Sequence, residues 1–103
     1  MNENENYDKI FEEAKNGGRY AGTYKQALKK TDAQLKKSIM SYEKQITEHQ
    51  YKIENPKEYD SDWDNKDERG KIGLIKYWEK EMRNFSDEAE ILKMIQRGRI
   101  NNG

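Results

Sequence analysis

The chain has no cysteine, no valine, one histidine and one proline among its 103 residues. Without cysteine there is no disulfide framework, no thiol nucleophile and no cysteine-based zinc site. A lone histidine, His49, excludes the multi-histidine cages that hold most transition metals. No apolar run approaches the roughly 18 residues that a membrane-spanning helix requires. Met1-Asn2-Glu3 has the pattern of neither a signal peptide nor a myristoylation site. These absences predict a cytoplasmic protein with no metal, no cofactor and no membrane partner.

Apolar residues are also scarce. Leu, Ile and Phe number 4, 9 and 2, below the roughly 20% at which a chain risks failing to bury a core. Disordered chains of that kind carry a large net charge, however, and here 20 Lys and Arg balance 20 Asp and Glu. The expectation is one small folded domain over 1–103. Its charge is unevenly placed. Residues 1–16 carry −3, 17–54 carry +4, 55–70 carry −3 and 71–103 carry +2.

What is present favours helix. Lys, Glu, Gln, Ala, Leu and Met dominate, and no segment alternates apolar and polar residues cleanly. A short helix is predicted from Tyr7 to Lys15 in the acidic N-terminal arm, 1–16. Ile10, Phe11 and Ala14 share its face with Tyr7, and Gly17-Gly18 ends it. Thr23…Gln26 and Thr31…Gln34 have capping-box spacing, so helices are expected to open at both threonines. The second of these spans 31–54. Leu35, Ile39, Tyr42, Ile46, His49 and Ile53 follow the 4-3-4-3-4 rhythm of a coiled-coil seam, and Asn55-Pro56 stops it.

A second long helix, about 65–97, repeats the rhythm through Ile75, Trp78, Met82, Phe85, Ala89 and Leu92. Ser86-Asp87 offers a cap inside it, but the seam stays in phase across that point. Gly98 and Asn101-Asn102-Gly103 are expected to close the chain. Two long helices joined by an acidic connecting loop, 55–64, return antiparallel. Ile46 should then meet Trp78 or Met82, and Leu35 should meet Leu92. The fold class is all-α: a long antiparallel hairpin crossed by one or two short N-terminal helices. Ile10, Phe11, Tyr20, Tyr24 and Leu28 are expected to cover one side. Failing that, a second copy completes the thin core, which leaves a monomer or a homodimer.

Three groups of residues are candidates for chemistry. His49 is the one side chain suited to proton transfer near neutrality. Its seam position favours packing near Trp78 over catalysis, so no catalytic residue is assigned unless the protein is a nuclease. The run Asp60-Ser61-Asp62-Trp63-Asp64-Asn65 begins like a calcium loop. Such a loop needs glycine at its sixth position and a bidentate glutamate at its twelfth, where this chain has Asn65 and Lys71. An acidic loop in which Asp64 or Asp67 caps the next helix fits better. Tyr59, Asp60, Asp62, Trp63, Asp64 and Asp67 then form an acidic, aromatic candidate surface for a protein with a basic face. Arg19, Tyr20, Tyr24, Lys25, Lys30 and Lys37 form the alternative, a basic and aromatic face for nucleic acid.

The stretches Gly18-Arg19-Tyr20-Ala21-Gly22, Leu35-Lys36-Lys37-Ser38-Ile39, Tyr42-Glu43-Lys44-Gln45-Ile46 and Lys52-Ile53-Glu54-Asn55-Pro56 form a pattern with His49, Trp63-Asp64 and Trp78. It resembles a small helical module at the C-terminal ends of bacterial polymorphic toxins and phage head-morphogenesis proteins. The resemblance covers about residues 17–95, and no catalytic assignment comes with it. It implies a mobile-element setting and, if phage-encoded, the host cytoplasm. The expected function is a noncatalytic interaction module, such as an inhibitor that covers the surface of a host defence enzyme. The rivals are a small RNA-binding protein or metal-independent ribonuclease, and an oligomeric structural or accessory phage protein.

Overall fold

The computed structural model describes residues 3–102. Met1, Asn2 and Gly103, assigned above to the acidic arm and the closing tail, lie outside them. Five α-helices follow in order: α1 (Glu3–Lys15), α2 (Ala21–Leu28), α3 (Asp32–Glu54), α4 (Pro56–Tyr59) and α5 (Glu68–Asn102). Among the described residues there is no strand. The long helices α3 and α5 form the antiparallel hairpin that the two seams require, and α1 and α2 pack on one end of it.

Local chemistry accounts for most of the helix ends. The Thr31 hydroxyl accepts from the Gln34 amide at 3.2 Å, and the Gln34 side chain accepts from the Thr31 amide at 2.9 Å, a complete capping box for α3. Helix α3 stops at Asn55 because Pro56 follows, and Pro56 itself opens α4, where its missing N–H costs nothing. The expected plain connecting loop therefore contains a helical turn at 56–59 and a 3₁₀ turn at Trp63–Asn65. Helix α5 begins at Glu68, later than the expected 65. Asp67 caps it, its Oδ1 accepting from the Gly70 amide at 2.8 Å.

Three other expectations need correction. Helix α2 opens at Ala21, not at Thr23. Tyr20 takes the capping position in a left-handed conformation (φ 65°), and Gly17 turns the chain before it (φ 89°). Thr23 lies inside the helix, and its hydroxyl donates to Glu88 of α5 at 3.0 Å. Helix α5 passes through Gly98 to Asn102. One interior glycine costs only about 1 kcal/mol, and Arg99 fastens the last turns by donating to Asp32 Oδ1 and the Leu28 carbonyl. Leu28 itself is 51% exposed and covers little.

The core lies where the four longer helices meet. Ala14, Ala27, Leu35, Ile39, Ile91, Leu92 and Ile95 are buried there, with Ile10, Phe11, Tyr20, Tyr24 and Tyr42 packed around them. Leu35 and Leu92 share that cluster, as the antiparallel register requires. Beyond it the hairpin continues only two helices thick, in a molecule measuring 55 × 29 × 23 Å. Outside that cluster the buried side chains among the described residues are Ala89, Trp78 and His49.

Candidate functional site

The distal end is built from the C-terminal half of α3, α4, the 3₁₀ turn and the start of α5. Asp60 shapes it. Its Oδ1 accepts from the Asp62 amide at 3.1 Å, its carbonyl accepts from the Trp63 amide, and its Oδ2 lies 3.2 Å from the Lys66 ammonium. Asp67 is occupied as the cap of α5. Two of the six candidate surface residues thus work inside the fold. Asp64 is exposed and pairs with the equally exposed Lys57 at 3.2 Å, a contact contributing at most about 1 kcal/mol. Asp62 points to solvent, and Trp63 is half-buried with the Lys71 ammonium 5.6 Å from its ring centre.

Aromatic rings extend this surface. Tyr59 packs edge-on against Tyr51 at 5.9 Å, yet the two remain 48% and 45% exposed. The Tyr51 phenol is raised above its ordinary value by a hydrogen bond to Glu58 and by that carboxylate's charge. Tyr77, 55% exposed on α5, is raised in the same way by Glu81. Trp63 stands between two shallow grooves, one lined by Glu54, Pro56 and Glu58, the other by Ile72, Ile75 and Glu79. A further groove of about 540 Å³ runs between α3 and α5, floored by Ile46 and Met82 and flanked by Tyr51, Glu54 and Arg83. Ile46 and Met82 are thus neighbours, as the seam register predicts. The hairpin register places Tyr51, Tyr59, Trp63, Tyr77 and Trp78 together at the loop end, and Tyr51 and Tyr77 are among those left exposed there; Ile72 and the groove were absent from that reading, because seam spacing marks the buried stripe and not what borders it.

His49 is 4% exposed. Its Nδ1 lies 2.8 Å from the Gln45 carbonyl oxygen and its Nε2 2.7 Å from Glu81 Oε2. The ring stacks edge-on against Phe85 at 5.4 Å, not against Trp78 as the sequence suggested. Glu81 is held below the ordinary carboxylate range by hydrogen bonds from Tyr77 and His49, with Lys52 adding a favourable charge. With both nitrogens engaged inside the hairpin, the imidazole presents no free atom to a substrate.

The basic candidate face is divided in the same manner. Tyr20 donates to Asn84 and Asp87, and burial together with the Asp87 charge raises its phenol. Tyr24 packs edge-on against Phe11 at 5.6 Å. Arg19 donates to Asn84 and lies over the Tyr20 ring. Lys25 and Lys37 are exposed, and Lys30 lines a groove with Thr23, Gln26, Ser38, Tyr42 and Leu92. The aromatic rings needed to stack bases are thereby placed against the core while the cations remain outside.

Asp60, Asp62 and Asp64 do not converge, since the first faces Lys66 and the third faces Lys57. Among the described residues no three carboxylate or imidazole groups come together as a metal site. No helix among the described residues is long and apolar enough to cross a membrane. No protein-family model, curated protein or solved structure matches the chain.

Proposed function

We propose that the chain is a noncatalytic protein-binding module whose contact surface is the distal end of the hairpin. The observation that supports this most directly is the Tyr51–Tyr59 pair, locked edge to face and still about half exposed. Aromatic side chains already fixed in the free protein lose little rotamer entropy on binding, which makes them efficient anchors. Asp62 and Asp64 beside them favour a partner with a basic surface and would speed encounter with it. Occlusion of an enzyme by such a tip, in a phage or mobile-element setting, is the finer form of this reading. The nucleic-acid reading has less support, because the Tyr20 and Tyr24 rings are committed to packing.

The test is affinity capture from bacterial lysate, with and without nuclease, using wild type and Tyr59→Ala/Trp63→Ala. A stoichiometric protein that survives nuclease and is lost with the double variant is expected. Recovery that disappears with nuclease, or that Lys25→Ala/Lys37→Ala abolishes instead, would transfer the function to the basic face.

A further inference from the structure

Helices α1 and α2 cover one face of the α3–α5 hairpin. Arg19 and Thr23 bond there to Asn84 and Glu88, which at about 3.6 residues per turn lie across α5 from Met82 and Ser86. Met82 and Ser86 face the open groove of about 540 Å³ on the other side. On α3 the stripe that borders this groove runs through Tyr51 and Glu54 and continues back to Met40, which is 61% exposed. Two charged residues line the groove, Glu54 on the α3 wall and Arg83 on the α5 wall, and both are exposed. Arg83 follows Met82 near the level of Ile46, whereas Glu54 ends α3 two turns, about 12 Å, nearer the tip. Neither forms an ion pair among the described residues. Glu54 accepts from Gln50 on its own helix at 2.9 Å.

Opposite charges at diagonal corners of an apolar groove match themselves under a twofold rotation, the commonest symmetry of homodimers. Half a turn about an axis entering the middle of the groove lays the Glu54 of a second copy over the first Arg83. The same rotation lays its Arg83 over the first Glu54, and the two Ile46–Met82 floors face each other. We infer that this groove is the contact face of a homodimer, in which two distal hairpins pack antiparallel as a four-helix bundle. A second copy fits better than an unrelated partner because the two charges of the groove cancel. They select their own arrangement and not a strongly acidic or basic surface. The apolar floor supplies the affinity, while the exposed ion pairs fix the register and add little. The contact is confined to about half of the hairpin, which puts it at the small end of specific interfaces and makes the dimer reversible. Tyr59 and Trp63 do not line the groove, so the inference stands whether or not the tip binds a protein.

Charge reversal decides it. Sedimentation equilibrium of the wild type from micromolar to millimolar concentration should show a reversible monomer–dimer equilibrium. Glu54→Arg sets arginine against arginine in both contacts, and Arg83→Glu sets glutamate against glutamate. Each variant alone should therefore dissociate at least about tenfold more readily than the wild type. Mixed in equal amounts, the two variants regain both opposite-charge pairs and should form a heterodimer as tight as the wild-type dimer. A wild type that stays monomeric at every concentration overturns the inference, and so does a mixture no more associated than its components. Both positions are exposed, so circular dichroism should report unchanged helicity. Should either variant fail to fold, Gln50→Cys in the otherwise wild-type chain still decides. It lies beside the proposed axis in a protein with no other cysteine. A short thiol cross-linker should join it to its own copy, and failure to do so overturns the twofold.

Discussion

The two halves of the hairpin solve the same packing problem with different materials. At the proximal end α1 and α2 form a second layer, and Leu35, Ile91 and Leu92 are 0–2% exposed beneath it. At the distal end no long helix covers α3 and α5, only the short α4 and the 3₁₀ turn lie against them, and the seam is closed by Trp78 and by a histidine bonded to a carboxylate. Burial of aliphatic side chains is most complete where a third helix excludes water. Where the chain has just two helices, hydrogen bonds and aromatic edges take over, and carboxylates raise tyrosine phenols on both sides of the divide. Tyr20 with Asp87 and Tyr42 with Glu88 serve the covered half; Tyr51 with Glu58 and Tyr77 with Glu81 serve the open one.

The sharpest way to break this contrast is to empty matched positions. Leu92→Ala removes a side chain 2% exposed from the layered half and should destabilise the protein by about 3 kcal/mol, in the range for buried leucines. Met82→Ala, on the floor of the open groove, should cost about 1 kcal/mol because water and neighbours fill the space. Urea unfolding measures both. Equal losses would mean that the distal half is as tightly packed as the proximal one.

Next in size is the contact between His49 and Glu81 that joins α3 to α5. His49→Ala should destabilise by about 2 kcal/mol, from lost packing against Phe85 and two lost hydrogen bonds. On the acid side Glu81 sets the behaviour. Its folded value is depressed, so its contribution is present above the ordinary carboxylate range and disappears as pH falls through the lowered value. Thermal melts of wild type and Glu81→Gln should therefore converge in acid and separate toward neutrality, where the wild type is the more stable.

A smaller effect tests the local code. Thr31→Ala removes the hydroxyl of the capping box and should cost about 1 kcal/mol, whereas Thr31→Ser should be nearly silent. This box was legible from sequence because all its atoms lie within four residues. The hairpin and its register were legible for a related reason, since a periodic stripe specifies a partner stripe. Thr23 misled because its spacing mimics a box while its hydroxyl is drawn to Glu88, 65 positions away. Pairing of His49 with Glu81 was equally hidden. Glutamate is abundant on every face of these helices, and only the register between α3 and α5 selects Glu81. At the tip, composition identified an acidic, aromatic surface, but it could not show that Asp60 turns toward Lys66 or that Tyr51 joins Tyr59.

The smallest stability effect and the largest binding effect should coincide at Trp63 and Asp62. Asp62 is exposed and makes its hydrogen bonds, to Asp60 Oδ1 and from the Asn65 amide, through its backbone, so Asp62→Ala removes a charge without removing either. Trp63→Ala removes a half-buried ring from the edge of the α5 groove, and the loop around it remains held by Asp60 and Lys66. The double variant should lose no more than about 1 kcal/mol of stability, typical of surface positions. Its affinity for a captured partner should fall by at least an order of magnitude, because aromatic anchors carry a disproportionate share of binding energy. Circular dichroism melting and titration calorimetry on the same samples separate the two quantities. Loss of helicity in step with loss of binding would make Trp63 a structural wedge, and the contact surface would then rest on Tyr51 and Tyr59 alone.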